Sequence, residues 1–229
     1  MESPRVVEFF GLPAAGKTTV SRQVAEALST RGIGVEEPTR TIARKPAPIR
    51  IATKGRYLAS ATVRTPRASA RITRRCLNAN DRLPDPVRVA FNHHYVRGVL
   101  LRSRARENVG ILDQGLYQSI WSIGLAGDIS YSWLLDSLPL PAAEQPDLVV
   151  VLQVSRAALL ERTRARGSAD TRFAGEPDQL DRGLAGFDAI VEFLEERGSD
   201  SAPSVLVQTN ETTTDRDCAV RAILEAIDP

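Results

Sequence analysis

Eight consecutive residues near the start of the chain combine two glycines, a lysine and a threonine at a spacing that suits phosphate binding. From Gly11 to Thr18 they read G-x-x-x-x-G-K-T. Glycines let backbone N–H groups turn toward one point, the following helix N-terminus adds positive partial charge, the lysine meets the β and γ phosphates, and the threonine hydroxyl ligates Mg²⁺. An accidental glycine-rich turn is the alternative, but a predicted strand before the motif and a predicted helix after it favour nucleotide binding. The residues predicted to bind the nucleotide are Gly11, Ala14, Ala15, Gly16, Lys17, Thr18 and Thr19.

A carboxylate follows the apolar run Val109–Leu112, which predicts a strand. The carboxyl ends of parallel strands line the crevice in which ligands bind, so Asp113 is expected beside the phosphate loop, residues 11–19. Two roles stay open there: a metal role shared with Thr18, in which Asp113 holds a magnesium-bound water, and that of a base that accepts the proton of an attacking hydroxyl. A plain turn or helix cap is the structural alternative.

A third group of candidates is rich in arginine and follows the apolar run Leu148–Val154. Arg162 and Arg166 lie four residues apart, so both can reach the same anion from one helix face. Planar guanidinium groups suit phosphate oxygens and the charge that develops during transfer. We predict Lys17, Asp113, Arg162 and Arg166 as catalytic residues, with a solvated arginine face as the alternative for the last two.

Alternating strands and helices must position these residues. Apolar runs predict strands at Val6–Phe10, Ile33–Val35, Val109–Leu112, Leu148–Val154 and Val205–Gln208. Helices are predicted over Lys17–Thr30, from Asp85 with Val87, Phe91, Tyr95 and Val99 on one face, from Ser155 to near Gly167, and after a capping box of Thr214 and Asp217. This alternation predicts an α/β fold with a parallel sheet covered on both faces, in a single domain over residues 1–229.

The charge of the chain is balanced overall and unevenly distributed. The formal net charge is +2, yet the segment Arg40–Gly110, called the basic segment below, holds 17 basic and three acidic residues. A helix over Leu58–Leu77 would place Arg64, Arg67, Arg71 and Arg74 in one stripe. An anionic acceptor, nucleic acid, an anionic membrane surface and an acidic partner all fit such a stripe, and so does a solvated face docked on the acidic rest of the chain.

Two distant cysteines and the absence of a long apolar run limit the class of protein. Cys76 and Cys218 predict neither a disulfide framework nor a zinc site, which fits a reducing cytoplasm. No stretch resembles a signal peptide or a membrane span, so we expect a soluble cytoplasmic protein.

The motifs in combination resemble the thymidylate kinase-like branch of the P-loop nucleotide and nucleoside kinases. The likeness is best at GLPAAGKTT (11–19), ILDQG (111–115) and PDLVVVLQVSRAALLERTRARG (146–167). The resemblance implies a P-loop NTPase three-layer α/β/α sandwich with a five-stranded parallel sheet, a helical acceptor-binding region at about 36–106 and an arginine-bearing lid at about 156–182. It also implies ATP and Mg²⁺, transfer of the γ-phosphoryl to a small acceptor, and a nucleotide-binding role for Arg164.

The chain departs from that family where the acceptor binds. Gln114 stands where thymidylate kinases place an arginine, and Asn92 and His93 stand near the place of a second one. We predict these three residues and Arg40 as acceptor contacts, and a hydroxyl-bearing acceptor rather than thymidylate, with Asp113 as base. A buried or surface histidine pair is the alternative for His93.

Three functional classes follow from these observations. An ATP-dependent small-molecule kinase, acting on a hydroxyl or phosphate group, is the first prediction. A polynucleotide-directed kinase or NTPase and a non-catalytic ATP-binding regulatory protein are the alternatives. The sequence leaves monomer and homodimer open.

Overall fold

The computed structural model describes residues 4–78, 85–126, 130–137, 141–165, 177–196 and 203–228. Its centre is a five-stranded, wholly parallel sheet in the order β2-β3-β1-β4-β5. The strands are β1 (Val6–Gly11), β2 (Val35–Glu36), β3 (Val109–Leu112), β4 (Leu148–Gln153) and β5 (Ser204–Thr209). All five predicted strands are confirmed. The second begins two residues later than predicted because the N–H of Ile33 donates to the Leu28 carbonyl and closes the preceding helix.

Ten helices of the described residues surround the sheet. They are α1 (Lys17–Thr30), α2 (Pro38–Ala43), α3 (Ala47–Arg64), α4 (Pro66–Asn78), α5 (Asp85–Ser103), α6 (Leu116–Ala126), α7 (Tyr131–Ser137), α8 (Arg156–Ala165), α9 (Pro177–Glu196) and α10 (Thr213–Ile227). None of these helices combines the length and the apolar character needed to cross a bilayer. The bounds of α1 match the prediction, and the Ser155 side chain caps α8 by accepting from the N–H of Ala158 at 3.2 Å.

Alternate side chains of β1 serve opposite faces of the sheet. Val7 and Phe9 are buried in an apolar cluster with side chains of α1 and α10, whereas Val6 and Phe10 are buried with those of α5, α6 and α9. Helices therefore cover both faces of the central strand, which confirms the predicted three layers. Glu8 lies between Val6 and Phe10 and shares their face.

One predicted helix feature is wrong in detail. The capping box of the last helix uses Thr212 and Asp215 rather than Thr214 and Asp217: the Thr212 hydroxyl accepts from the N–H of Asp215, and the Asp215 carboxylate accepts from the N–H of Thr212. The helix predicted from Asp85 is present as α5, and the apolar face predicted for it is only partly buried, since Val87 is 51% exposed.

The rest of that predicted α5 face is divided between solvent and core. Phe91 is 37% exposed, whereas Tyr95 and Val99 are buried. The α5 helix contacts α3, α4 and α6, so residues on several of its faces are buried.

A single helix over Leu58–Leu77 is also incorrect. Thr65 lies between α3 and α4 in a non-helical conformation, because Pro66 has no N–H to donate and restricts the residue before it. The exposed side of α4 carries Arg67, Arg71 and Arg74, while Arg64 ends the other helix. The predicted stripe therefore has three members on one helix.

A buried ion pair attaches these two helices to the rest of the molecule. Arg97 of α5 and Glu144 are 1% and 2% exposed and are joined at 2.6 Å between Nε and Oε2. Arg97 also donates to the hydroxyls of Thr65 and Ser69, and lies 3.1 Å from His94 Nδ1. Burial, with the Arg97 charge beside it, lowers the pKa of His94 to about 4, so the imidazole is neutral near pH 7.

We expect Glu144→Gln to lower the free energy of unfolding by about 3 kcal/mol, because it leaves the buried Arg97 charge without a counter-ion. Urea unfolding followed by tryptophan fluorescence measures this change. Glu26→Gln is the matched control, since the Arg22–Glu26 pair is largely exposed and is worth at most about 0.5 kcal/mol. Equal losses in the two variants would contradict the structural role of the buried pair.

Candidate active site

The phosphate loop follows β1 and turns directly into α1. Gly16 has φ +91° and Ala14 has φ +70°, so the backbone enters the left-handed region twice within three residues. A Cβ at Gly11 would lie 2.9 Å from the Leu152 carbonyl oxygen, and one at Gly16 would lie 2.3 Å from Asn210 Nδ2. Both glycines are therefore required by close packing.

Asn210, which the sequence analysis did not single out, holds the loop from the side of β5. Its Nδ2 donates to the carbonyl of Ala15 at 2.7 Å, and its own N–H donates to Gln153. Because Asn210 follows β5 directly, the signal that could have found it is its place at the carboxyl end of a predicted strand.

Lys17 Nζ lies above the loop, where it donates to the carbonyls of Gly11 at 2.7 Å and Leu12 at 3.0 Å. Asp113 follows β3, and each of its carboxylate oxygens accepts from a threonine hydroxyl. Thr18 donates to Oδ2 at 3.3 Å and Thr39 of α2 donates to Oδ1 at 2.9 Å. Side chains of two separate helices, α1 and α2, thus orient the carboxylate. The sequence did not predict the contribution of Thr39.

A cavity of about 260 Å³ lies between the phosphate loop and the start of α6. The loop lines it with Pro13, Ala14, Gly16, Lys17 and Thr18. The opposite wall consists of Asn92, Asp113, Gln114, Gly115, Gln118, Ser119, Trp121 and Ser122. The structure therefore brings the predicted residues Ala14, Gly16, Lys17, Thr18, Asn92, Asp113 and Gln114 to one cavity.

His93 does not line this cavity, because its fully buried ring lies behind Ser119. The Ser119 hydroxyl donates to the Leu116 carbonyl at 2.6 Å, so the His93 Nδ1–H donates to that hydroxyl at 2.7 Å. Burial lowers the pKa of His93 well below its ordinary value, and the nearby Arg97 charge acts in the same direction. This geometry agrees with the alternative of a buried histidine pair, since His94 is buried as well.

The arginine candidates that the structure describes, Arg40, Arg162 and Arg164, do not line this cavity. Arg162 donates through Nη2 to the carbonyls of Asn210 at 2.7 Å and Glu211 at 2.8 Å, which ties α8 to the segment after β5. Arg164 is exposed near the end of α8, and Arg166 lies outside the described residues. Arg40 contacts both carboxylate oxygens of Glu37 at 3.0 and 3.1 Å.

Gly11, Ala15 and Thr19 complete the predicted set and do not line the cavity themselves. Within the loop Gly11 and Ala15 are buried, and Thr19 is exposed on α1.

A second buried carboxylate lies beneath the α6 wall. Glu8 Oε2 accepts from the N–H of Leu116 at 2.7 Å, and its Oε1 accepts from those of Tyr117 at 2.8 Å and Gln118 at 3.1 Å. Loss of hydration on burial raises the pKa of Glu8 to about 7, and the three N–H groups oppose that rise. Since Glu8 takes these amides, Asp113 is not the cap of α6.

A larger groove of about 1320 Å³, called the lateral groove below, lies among α1, β2, α2, α3 and the end of α5. No described residue of the predicted site lines it. Its lining includes five cations and three carboxylates: Lys45, Arg56, Arg64, Arg102, Arg106, Glu26, Glu36 and Glu37. Five cations of the basic segment therefore line the lateral groove, whereas no described cation of that segment lines the phosphate-loop cavity.

The Thr18 hydroxyl and the Asp113 carboxylate form the oxygen pair that fits a hard divalent cation such as Mg²⁺. No cluster of three or more His, Cys, Asp or Glu side chains suited to a metal occurs within the part of the chain that the structure describes. A cation at this place would therefore need further ligands from phosphate and water.

No family model and no curated protein matches the chain. Two solved structures are similar across nearly its whole length. A deoxyadenosine kinase from M. mycoides with the products dCMP and dCDP has 16% identity and a TM-score of 0.53, over 96% of this chain and 97% of that one. A structure of deoxyadenosine kinase from M. mycoides with bound dCTP has 14% identity and a TM-score of 0.53, over 96% and 99%. The chain therefore has the fold of the P-loop kinases, and the thymidylate kinase-like branch is not confirmed.

The raised pKa of Glu8 predicts a pH-dependent contribution to stability. Its side chain favours the folded state most below about pH 4.5, and that contribution is lost as the pH rises through about 7. The difference in unfolding free energy between wild type and Glu8→Gln should therefore change by about 3 kcal/mol between pH 4.5 and pH 8. Denaturant unfolding of both proteins at several pH values measures it, and parallel pH profiles would contradict the assignment.

Proposed function

We propose that the protein is an ATP-dependent small-molecule kinase that transfers the γ-phosphoryl group of ATP to a hydroxyl of a small acceptor, in the manner of a nucleoside kinase. The observation that carries this proposal is the approach of Asp113 to the phosphate loop across a cavity, with 3.3 Å between Thr18 Oγ1 and Asp113 Oδ2. The P-loop kinase fold supports it.

The phosphate loop would bind the nucleotide. Backbone N–H groups at the start of α1 and the helix dipole attract phosphate oxygens. The ammonium group of Lys17, which donates to the carbonyls of Gly11 and Leu12, would exchange these bonds for the charged β and γ phosphates. Thr18 would ligate Mg²⁺, which would neutralise phosphate charge when bound.

The acceptor would bind against the α6 wall. Asn92, Gln114 and Gln118 present amide groups to the cavity, which donate and accept hydrogen bonds without charge. Such groups suit a neutral hydroxyl-bearing acceptor better than a monophosphate, whose charge calls for arginine. The likeness to deoxyadenosine kinase makes a nucleoside the first acceptor class to test.

Asp113 would accept the proton of the attacking hydroxyl. Its carboxylate is held in place by Thr18 and Thr39, and both hydroxyls can turn away to leave a lone pair for the acceptor. Arg162 and Arg166 remain the predicted arginines for the charge that develops on the transferred group, and Arg164 remains a predicted nucleotide contact. Engagement of Arg162 would require it to release the carbonyls of Asn210 and Glu211.

Two substitutions should separate nucleotide binding from transfer. Lys17→Ala removes the main point charge of the loop, and we expect ATP binding to weaken at least about 100-fold. Asp113→Asn should leave the Kd for ATP within about 3-fold but lower turnover at least about 100-fold, the usual range for a general base. Calorimetric titration and a coupled ATP-consumption assay measure the two effects.

Asp217→Asn, on the exposed side of α10, is the matched control and should change neither quantity. Full turnover in Asp113→Asn would refute the role given to that carboxylate.

The acceptor itself requires a screen of nucleosides, nucleoside monophosphates, sugars and other alcohols with ATP consumption as the readout. We expect a hydroxyl-bearing, uncharged compound to give the highest kcat/KM. Much faster phosphorylation of thymidine monophosphate than of any alcohol would contradict the proposal that the amide-lined wall binds an uncharged acceptor.

A further inference from the structure

Glu8 is a carboxylate in the middle of the buried central strand. Its side chain is 0% exposed, and its neighbours across the sheet are Leu112 of β3 and Val149 of β4. Burial of a carboxylate costs several kcal/mol unless hydrogen bonds or a cation compensate it. Among the described residues, no cationic side chain forms an ion pair with Glu8, so its compensation comes from the three N–H groups of α6.

These three groups are the first amides of α6, which a helix leaves without partners inside its own backbone. A capping side chain ordinarily comes from the residue just before the helix. In this protein the cap comes from a strand more than 100 residues earlier in the chain, with Leu116 and Glu8 separated by 108 positions. The contact therefore fixes the position of one element relative to another.

Gly115 makes the approach of strand and helix close enough for these bonds. A Cβ at this position would lie 2.2 Å from Glu8 Cδ and 2.4 Å from its Oε2. A larger residue would displace the Glu8 carboxylate or the start of α6, and either shift would break these bonds.

Both sides of the phosphate-loop cavity depend on β1. Three residues after Glu8 the strand ends at Gly11 and continues into the phosphate loop, while Glu8 itself bonds to the helix that carries the opposite wall. Gln114 and Gln118 lie on either side of the bonded amides and line the cavity. Because β1 leads into the loop that carries Lys17 and also bonds to α6, this one strand determines the separation between Lys17 and the two amide side chains.

We propose that Glu8 is a positioning residue: through its bonds to the first amides of α6 it places Gln114 and Gln118 at the distance from the phosphate loop that acceptor binding requires. Glu8 does not line the cavity and would touch neither substrate. The part of this proposal that concerns the acceptor rests on the proposed function, whereas the part that concerns α6 does not.

Amide hydrogen exchange tests the structural part without any substrate. In wild type, after correction for intrinsic rates, the amides of Leu116, Tyr117 and Gln118 should be protected, although amides in the first turn of an uncapped helix exchange freely. In Glu8→Gln one oxygen acceptor is replaced by an NH₂ donor, so exchange at these amides should be at least about 10-fold faster. Unprotected amides in wild type, or unchanged exchange in the variant, would overturn the proposal.

Gly115→Ala approaches the same contact from the helix side and serves if Glu8→Gln does not fold. Amide exchange at residues 116–118 should become faster in this variant too. Because both substitutions break the same contact, the double variant should show less than the sum of the two single effects. Additive effects would contradict a shared contact. Glu26→Gln is the control, since it neutralises an exposed glutamate far from α6 at little cost in stability and should leave exchange at residues 116–118 unchanged.

Kinetics test the acceptor part. Glu8→Gln should raise the KM of the best acceptor at least about 10-fold while the Kd of an ATP analogue stays within about 3-fold, since the phosphate loop is intact. Faster amide exchange with an unchanged acceptor KM would overturn the positioning role. If no acceptor is found in the screen, the proposed function fails, and the exchange experiment still decides whether Glu8 holds α6.

Discussion

The parallel pairing of β1 with β3 on one side and with β4 on the other is the constraint on which the candidate site depends. Val7 lies opposite Ile111 in one pairing and opposite Leu148 in the other. Because the strands run in the same direction, the chain leaves β1 and β3 at the same edge of the sheet. The phosphate loop and Asp113 meet there although Thr18 and Asp113 are 95 positions apart.

The distribution of charge has a structural explanation in the pairing of arginines outside the site. Four arginines of the basic segment form ion pairs with carboxylates that lie outside that segment: Arg40 with Glu37, Arg97 with Glu144, Arg104 with Asp147 and Arg106 with Glu36. Part of the basic excess therefore docks on the acidic remainder of the chain, one of the alternatives drawn from the sequence. The phosphate-loop cavity has no arginine in its described lining, which separates the basic segment from the amide-lined wall.

Local signals in the sequence predicted most strands and helices. Contacts between distant residues determined the bonds that the sequence did not predict. The five strands and the bounds of α1 follow from apolar runs and from the glycines around the helix. Three consecutive threonines, 212–214, lie at the start of α10, so the pattern Thr-x-x-Asp fits both Thr212 with Asp215 and Thr214 with Asp217, and the backbone alone selects the first. The break at Pro66 was available in the sequence, since proline disfavours helix in the residue before it.

The bonds made by Thr39 and Glu8 had no such local signal, because each joins elements that are far apart in the chain. Glu8 was visible only as a polar interruption of an apolar strand. The position of Glu8 beneath the start of α6 explains why the Asp113 carboxylate is available to act in the site. A polar side chain just before a helix commonly caps it, and here that position is Gly115, which has no side chain to offer. Since Glu8 already occupies the first amides of α6, the Asp113 carboxylate is free to face Thr18 and Thr39, and a glycine rather than a capping side chain can precede the helix.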